Sequence, residues 1–373
     1  MLKKLFILLA MVGLTVFPLY RSYYYGLGFA QYKRHKQWLA HESPFFNPWQ
    51  YRILSPLMVE AAYQIYDNTI EKIVPLSSIL PAPEAMLGVV QSDFQDNIAN
   101  RGGVQRVDVA TPVRYFLIFT LFRLLQHLAI YYLFWRMMRQ FVPSNWLLGA
   151  GLLFICFSMG NSVKDSDLSF NTYTDVILYL AAAIVVIERR VSWWIVPLTA
   201  LGALNRETAL LIPVMYFIAN IDLKPRNLIK RNLIKQYAPR IVWLQTALSG
   251  IIFLGIFIAI RQYYGLVHYE DYAAAPGLSL LKTNLFSFQS IFSYGEWFGT
   301  MGFLPFIALY GFRQNSPLLQ RFGIAIVPFW FGVQLCMAVA WESRMFMVPT
   351  FVAFLPLALE QMYLALKTEF AET

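Results

Sequence analysis

Charged residues are scarce in this chain. Asp, Glu, Lys and Arg together make up 14% of its 373 residues, whereas about 25% is usual for a soluble domain. Hydrophobic residues reach 58% and aromatic residues 17%. So few charges cannot cover the surface of an ordinary soluble domain, and the composition therefore argues against one.

The chain also lacks the sequence motifs of several enzyme classes. Its two cysteines, Cys156 and Cys336, both lie inside apolar runs, so there is no disulfide pattern and no metal-ligand spacing. It has no Gly-rich phosphate loop, no His-Glu-x-x-His sequence and no serine nucleophile elbow. These absences argue against nucleotide hydrolysis.

The chain does contain a series of continuous apolar runs. They recur at lengths near the roughly 20 residues that a spanning helix needs, and they do not alternate as barrel strands would. The sequence therefore predicts an all-α polytopic membrane protein with about nine or ten transmembrane helices, built as a single domain over 1–373. The predicted spans are 5–20, 113–134, 146–160, 174–187, 193–205, 207–220, 241–260, 297–312, 322–341 and 345–363.

Basic residues set the expected orientation. The net charge of +9 is compatible with nucleic-acid binding, but these residues fall in short connections between apolar runs, where they act as topology signals. We therefore predict an integral protein of the plasma (inner) membrane, with a cytoplasmic N-terminus, an uncleaved first span and no nucleic-acid partner. The largest basic cluster consists of Lys224, Arg226, Lys230, Arg231, Lys235 and Arg240.

Two segments depart from regular spans. Residues 193–220 hold two apolar pieces of about a dozen residues each, shorter than the roughly 17 needed to cross, and Asn205-Arg206-Glu207 separates them. This break is expected to lie in a cavity below the membrane surface. Residues 21–112 are too polar to cross, but apolar residues recur at helical spacing from Ile53 to Ile65, which predicts an amphipathic interfacial helix in a long extracytoplasmic loop.

Four polar groups fall on the extracytoplasmic side under this topology. The first contains Glu42 and Arg52, and Arg52 can grip a phosphate through its planar guanidinium or instead snorkel to lipid headgroups. The fourth is Glu342-Ser343-Arg344, the whole connection between two apolar runs. An ion pair or a ligand phosphate can satisfy Arg344 there, although an ordinary exposed turn would have the same sequence.

The second and third groups lie between these two in sequence. Asp165 and Asp167 can hold a divalent cation together, or one of them can act as a base. A solvated loop, with Asp175 capping the next helix, is the alternative. In Asn205-Arg206-Glu207-Thr208, charges at membrane depth indicate a functional site, whereas a purely structural role would make Asn205 a helix cap.

This layout resembles the GT-C superfamily of integral-membrane glycosyltransferases, which take sugars from polyprenyl-phosphate carriers. The resemblance covers most of the chain in layout. It depends on the long loop after the first span and on three short motifs, namely Tyr51-Arg52-Ile53-Leu54-Ser55-Pro56, Asn205-Arg206-Glu207-Thr208 and Glu342-Ser343-Arg344.

The resemblance implies hexosyl or pentosyl transfer from a lipid-linked donor to an acceptor on the extracytoplasmic face. Such enzymes carry an acid early in the first outer loop, but residues 21–41 contain none. The general base would therefore be Glu42, Asp165, Asp167 or Glu207. A divalent cation, Mg or Mn, at Asp165 and Asp167 is not required. The donor would be bound by Arg52, Asn205, Arg206, Glu342 and Arg344.

Three other classes of function remain open. Broken helices with polar breaks also build the substrate sites of secondary transporters and flippases, although the chain shows no internal repeat. A membrane polysaccharide polymerase or ligase would share the lipid-linked donor and the arginines. A structural subunit of a membrane complex, by contrast, predicts that the four polar groups do not converge in space.

Overall fold

The chain folds into an all-helical bundle. The structure, a computed structural model, describes residues 2–25, 27–41, 49–80, 87–88, 110–163, 169–189, 191–221, 240–265 and 275–372, and every regular element of appreciable length in these residues is a helix. The main helices are α1 (Leu2–Tyr24), α2 (Leu27–Leu39), α3 (Leu54–Asn68), α4 (Ile70–Ile73), α5 (Leu76–Ile79), α6 (Ala110–Met138), α7 (Asn145–Ser162), α8 (Ser169–Arg189), α9 (Ile195–Ala203), α10 (Leu211–Asn220), α11 (Arg240–Tyr264), α12 (Leu278–Phe286), α13 (Phe288–Met301), α14 (Leu304–Tyr310), α15 (Pro317–Met337) and α16 (Leu355–Glu372).

Six helical segments in the described part of the chain are long and apolar enough to cross a membrane, as in a multi-pass membrane protein. The remaining predicted spans correspond to shorter or broken helices, and the predicted span 297–312 is interrupted at Gly302, whose φ is 56°. A count of nine or ten crossings therefore stays a prediction. The six segments are Leu5–Tyr24, Ala110–Met138, Phe170–Arg189, Arg240–Tyr264, Pro317–Met337 and Ser343–Thr368.

Helices α9 and α10 form a hairpin that returns to the end of the bundle from which it starts. Ser192, just before α9, donates its backbone N–H to the hydroxyl of Tyr216 in α10 at 3.4 Å. Arg321, near the start of α15, donates to the carbonyl of Ala219 at 2.9 Å. Each helix of the hairpin is about 14 Å long, whereas the hydrocarbon core of a membrane is about 30 Å thick. The two short pieces are thus antiparallel, and segments before and after the hairpin lie at the same end.

The final span lies at the centre of the bundle. In the most apolar part of this span, which runs over Ser343–Thr368, 94% of the residues are buried inside the protein. Other parts of the protein therefore surround it on all sides. Phe346 and Phe351 are fully buried in it, and the ring of Phe346 packs on Phe331 of α15 with centroids 4.8 Å apart. A π-helical turn, Thr350–Phe354, interrupts its regular winding. The start of this central span can therefore face several other helices at once.

Helix α3 confirms that the apolar spacing from Ile53 to Ile65 is helical, and its two faces differ sharply. Ser55 and Val59 are buried against the bundle, whereas Leu57, Met58 and Ile65 are exposed. The N-terminus of α3 is fixed to the hairpin, because the backbone N–H of Leu54 donates to the carbonyl of Leu204 at 2.9 Å. The residues just before α3 are thereby held against the hairpin tip.

Candidate functional site

Three arginines from distant parts of the chain are buried at one end of the bundle. Arg52 is 6% exposed, Arg206 is 3% exposed and Arg344 is 0% exposed. They come from the segment before α3, from the tip of the α9–α10 hairpin and from the start of the central span. We call these arginines, together with Asp175 and Asn205, the arginine cluster.

Asp175 is the carboxylate at the centre of this cluster. Its Oδ2 accepts a hydrogen bond from Nη1 of Arg206 at 3.3 Å, and its Oδ1 accepts one from the Asn205 amide at 2.6 Å. The same amide donates to the carbonyl of Asn171 at 2.9 Å. Asp175 lies in the second turn of α8, about 9 Å along the axis from its first residue. Because a buried charge is costly without a partner, this ion pair ties the hairpin tip to α8.

Neutral polar groups extend the network from the cluster to two further helices. Ser55 of α3 donates to Oδ1 of Asn205 at 3.3 Å and shares a 3.0 Å hydrogen bond with the hydroxyl of Thr174. Gln126 of α6 donates to that same hydroxyl at 2.9 Å. Four segments are thus joined by buried hydrogen bonds, which restrict how far any of them can shift.

The hairpin tip depends on a close approach between its arms. A Cβ at Gly202 would lie 2.6 Å from Cβ of Ala209, so a larger residue would push the arms apart. The hydroxyl of Tyr179 in α8 donates to the carbonyl of Thr208 at 2.5 Å and holds the tip from the other side. Glycine at 202 therefore lets the tip pack tightly enough to place Asn205 and Arg206 against Asp175.

Arg344 is held by the turn that begins the central span. It pairs with the carboxylate of Glu342, and its Nη1 donates to the hydroxyl of Thr172 at 3.3 Å. The turn is fixed by the indole N–H of Trp330, which donates to the carbonyl of Met345 at 2.7 Å. Arg344 and Asp175 therefore reach the same part of α8, one through Thr172 and the other from within the helix.

A third ion pair forms the margin of the cluster. Glu207 accepts a hydrogen bond from Nη2 of Arg261 at 2.9 Å. The guanidinium of Arg261 also lies over the ring of Tyr51, 4.4 Å from its centroid, and the Tyr51 hydroxyl donates to the carbonyl of Gly265 at 2.8 Å. The end of α11 is thereby packed directly against the residue before Arg52.

Burial and neighbouring charges shift the pKa of the Arg52 guanidinium. Burial lowers the pKa of Arg52, and the positive charges of Arg206 and Arg344 lower it further, while Glu207 and Asp175 oppose them. Arg206 and Arg344 both lie close enough to the buried guanidinium of Arg52 to repel it, and these positive charges create a positive potential there. A bound anion would relieve that repulsion, and a phosphate or carboxylate fits the planar fork of an arginine.

The structure brings together most of the residues that the sequence singled out. Arg52, Asn205, Arg206 and Arg344 meet in the cluster, and Glu207 and Glu342 lie beside it as ion-pair partners. Glu42, Asp165 and Asp167 lie outside the described residues, as does any divalent cation site that they would form. Within the described residues, no group of three or more His, Cys, Asp or Glu side chains could hold a metal ion.

The structure assigns two residues a different place from the one expected. Asp175 does not cap α8, because that helix begins at Ser169 and Asp175 lies inside it. Asn205 does not cap the following helical turn through its side chain, which binds Asp175 instead. For Asp175 the sequence did contain a signal. It is an acid inside an apolar run, and such a charge needs a buried partner. Arg261 carried no such signal, because it closes an otherwise ordinary span.

Comparison with known proteins adds no relative. No protein-family model matches the chain, and neither a curated protein nor a solved structure matches it.

Proposed function

We propose that this protein is a membrane glycosyltransferase that moves a sugar from a polyprenyl-phosphate donor to an acceptor on the extracytoplasmic face. The observation that carries the proposal is the convergence of Arg52, Arg206 and Arg344, all buried, around Asp175. A phosphate at membrane depth needs several guanidiniums, because neither lipid nor a single surface charge can stabilise it there.

The geometry supports the following roles within the site. The arginines would hold the phosphate of the donor and stabilise the charge that grows on it as the sugar leaves, which is the larger electrostatic contribution. Asn205 and Asp175 would hold Arg206 in place. The general base would be Glu207, Glu42, Asp165 or Asp167, each of which could accept the proton of the acceptor hydroxyl.

Binding of a phosphorylated polyprenol tests the first half of this proposal. The full chain in nanodiscs should bind undecaprenyl phosphate more tightly than undecaprenol, as measured by native mass spectrometry. Arg52→Gln should weaken that preference by about 10- to 100-fold, because a hydrogen bond to a charged group contributes about 1.5–3 kcal/mol. Arg52→Lys should lose less, since it keeps the charge but not the fork.

The matched control is Arg139→Gln, which removes an exposed arginine from the other end of the bundle. It should leave binding unchanged. If Arg52→Gln and Arg139→Gln have the same effect, the arginine cluster does not bind phosphate and the proposal fails.

Turnover tests the second half. Purified protein should transfer radiolabelled sugar from undecaprenyl-phosphate hexose to an acceptor in a membrane lipid extract, and the product should be separable by chromatography. The variant Glu42→Ala/Asp165→Ala/Asp167→Ala should transfer at a strongly reduced rate. Normal turnover by this triple variant would rule out these three acids and leave Glu207 as the base to test.

A second candidate function is transport of a lipid-linked or small polar substrate. The observation that favours it is the α9–α10 hairpin, whose break carries Asn205 and Arg206, because discontinuous helices build substrate sites in secondary transporters. Flux of a labelled lipid-linked sugar across proteoliposomes, without a transfer product, would favour this candidate over the glycosyltransferase.

A further inference from the structure

A cavity of about 420 Å³ lies next to the arginine cluster. Its described lining comes from the end of α2, from the turn before Arg52 and from the end of α11. Tyr51 separates this cavity from Arg52 along the chain, and the same tyrosine lies under the guanidinium of Arg261. The lining residues are Trp38, His41, Gln50, Tyr263 and Tyr264.

Aromatic side chains form most of the described wall. Trp38, Tyr263 and Tyr264 line the cavity, and the rings of Tyr263 and Tyr264 meet edge to face at 4.9 Å. His41 packs on Tyr264 with ring centroids 5.7 Å apart. The described lining carries no carboxylate, ammonium or guanidinium group. An aromatic wall of this kind suits a ligand that has both apolar faces and polar edges.

Two buried donors at this cavity lack acceptors among the described residues. The indole Nε1–H of Trp38 and the amide Nε2 of Gln50 make no hydrogen bond to any residue that the structure describes. A buried donor without an acceptor is costly, so most such groups are paired. Oxygen atoms of a ligand would satisfy both donors.

The chain turns at this cavity, where α2 ends. His41 has a φ of 56°, and its backbone N–H donates to the carbonyl of Trp38 at 3.2 Å. A residue in the left-handed conformation just past a helix end is a common helix cap. This cap holds His41 beside Trp38 on the cavity wall.

We infer that this cavity is a carbohydrate subsite, which takes one sugar ring of the acceptor. A pyranose has C–H faces that pack on aromatic rings and hydroxyl edges that accept hydrogen bonds from Trp38 and Gln50. A cavity of about 420 Å³ is within the usual size range of small-molecule sites and leaves room for a hexose of about a dozen non-hydrogen atoms. The subsite deepens the proposed function, on which its role as an acceptor site rests.

Binding of simple glycosides tests this subsite without any turnover. The full chain in nanodiscs is mixed with the methyl glycosides of glucose, galactose, mannose and N-acetylglucosamine, and saturation-transfer NMR reports which of them bind. We expect at least one to bind. Trp38→Phe, which removes the indole N–H but keeps an aromatic ring, should weaken that binding by about 2- to 10-fold, as expected for one neutral hydrogen bond. Tyr264→Leu should weaken it further.

Exposed aromatic residues elsewhere provide matched controls. Trp146→Phe and Tyr310→Leu change the same residue types at exposed positions outside the described lining, and both should leave glycoside binding unchanged. The inference is overturned if no glycoside binds the wild type, or if Trp38→Phe and Trp146→Phe behave alike while both proteins keep the wild-type circular dichroism.

The outcome is separable from that of the proposed function. Trp38→Phe should leave binding of undecaprenyl phosphate unchanged, whereas Arg52→Gln should weaken it by about 10- to 100-fold and keep glycoside binding. Glycoside binding without phosphate binding would uphold the carbohydrate subsite and defeat the glycosyltransferase proposal. Phosphate binding without glycoside binding would defeat the subsite alone.

Discussion

Two ion pairs that involve opposite ends of α8 differ in their exposure. In the arginine cluster, the side chains of Arg206 and Asp175 are 2% and 1% exposed. At the other end of α8, the side chains of Arg136 and Glu188 are 44% and 31% exposed. An exposed pair contributes little to stability, whereas a buried pair is costly to form and costlier to break. The buried pair in the arginine cluster is therefore expected to cost more to break than the exposed pair at the other end of α8.

The largest expected difference between the two ends comes from breaking each pair in turn. Asp175→Asn leaves Arg206 buried without its counter-charge and should lower the free energy of unfolding by about 3–5 kcal/mol. Glu188→Gln should lower it by less than about 1 kcal/mol. A denaturant titration in mixed micelles, followed by circular dichroism, compares them.

The double variant Asp175→Asn/Arg206→Gln sharpens this comparison. It should lose less than the sum of the two single variants, because it leaves no unpaired charge behind. Equal losses for Asp175→Asn and Glu188→Gln would show that the buried pair is no more coupled than the exposed one.

The next largest effect concerns packing at the hairpin tip. Gly202→Ala should lower the free energy of unfolding by about 1–3 kcal/mol, because its Cβ would overlap Ala209 and overpacking costs about that much. It should also weaken binding of undecaprenyl phosphate by moving Arg206. At the other end, Gly149→Ala meets nothing within 4 Å and should be neutral or slightly stabilising in the interior of α7.

The same micelle titration and the same lipid-binding measurement apply to both glycine variants. If Gly149→Ala lowers stability as much as Gly202→Ala does, close packing is not special to the hairpin tip.

The smallest expected effect is a pH dependence near the cluster end of the bundle. His35 of α2 lies 3.4 Å from the carboxylate of Glu60 in α3. Burial lowers the pKa of His35, although Glu60 opposes the shift. Burial acts to raise the pKa of Glu60, but hydrogen bonds from Gln64, Tyr115 and His35 outweigh it, and the net shift is downward. Both residues therefore bind protons more readily in the unfolded chain.

The sign of the effect follows from these two directions. The contribution of His35 is fully present above its unfolded pKa of about 6.5 and is lost as the pH falls below that value, and the contribution of Glu60 is lost at still lower pH. Stability should therefore fall between about pH 7 and about pH 5, and His35→Gln should flatten that slope. Unfolding titrations at both pH values measure it. An unchanged slope in His35→Gln would assign the acid sensitivity to other groups.

Much of the architecture could be predicted from local sequence. A run of about 20 apolar residues makes a spanning helix almost unavoidable, because lipid leaves backbone groups no other partner. The helical spacing from Ile53 to Ile65 and the split of residues 193–220 were visible for the same local reason. The number of crossings was harder, because α7 and the halves of the broken helices lie near the limit of length and apolarity.

The sequence by itself determined the helices and pointed to Arg52, Arg206 and Arg344, since charges next to apolar runs are rare and costly. Only the tertiary structure decided their partners. Arg206 meets Asp175 across 31 residues of chain, and Arg344 meets Thr172 across 172. Helical periodicity acts over a few residues and says nothing about such distances. The packing of whole helices against one another produces these contacts and brings the separate charges into one cluster.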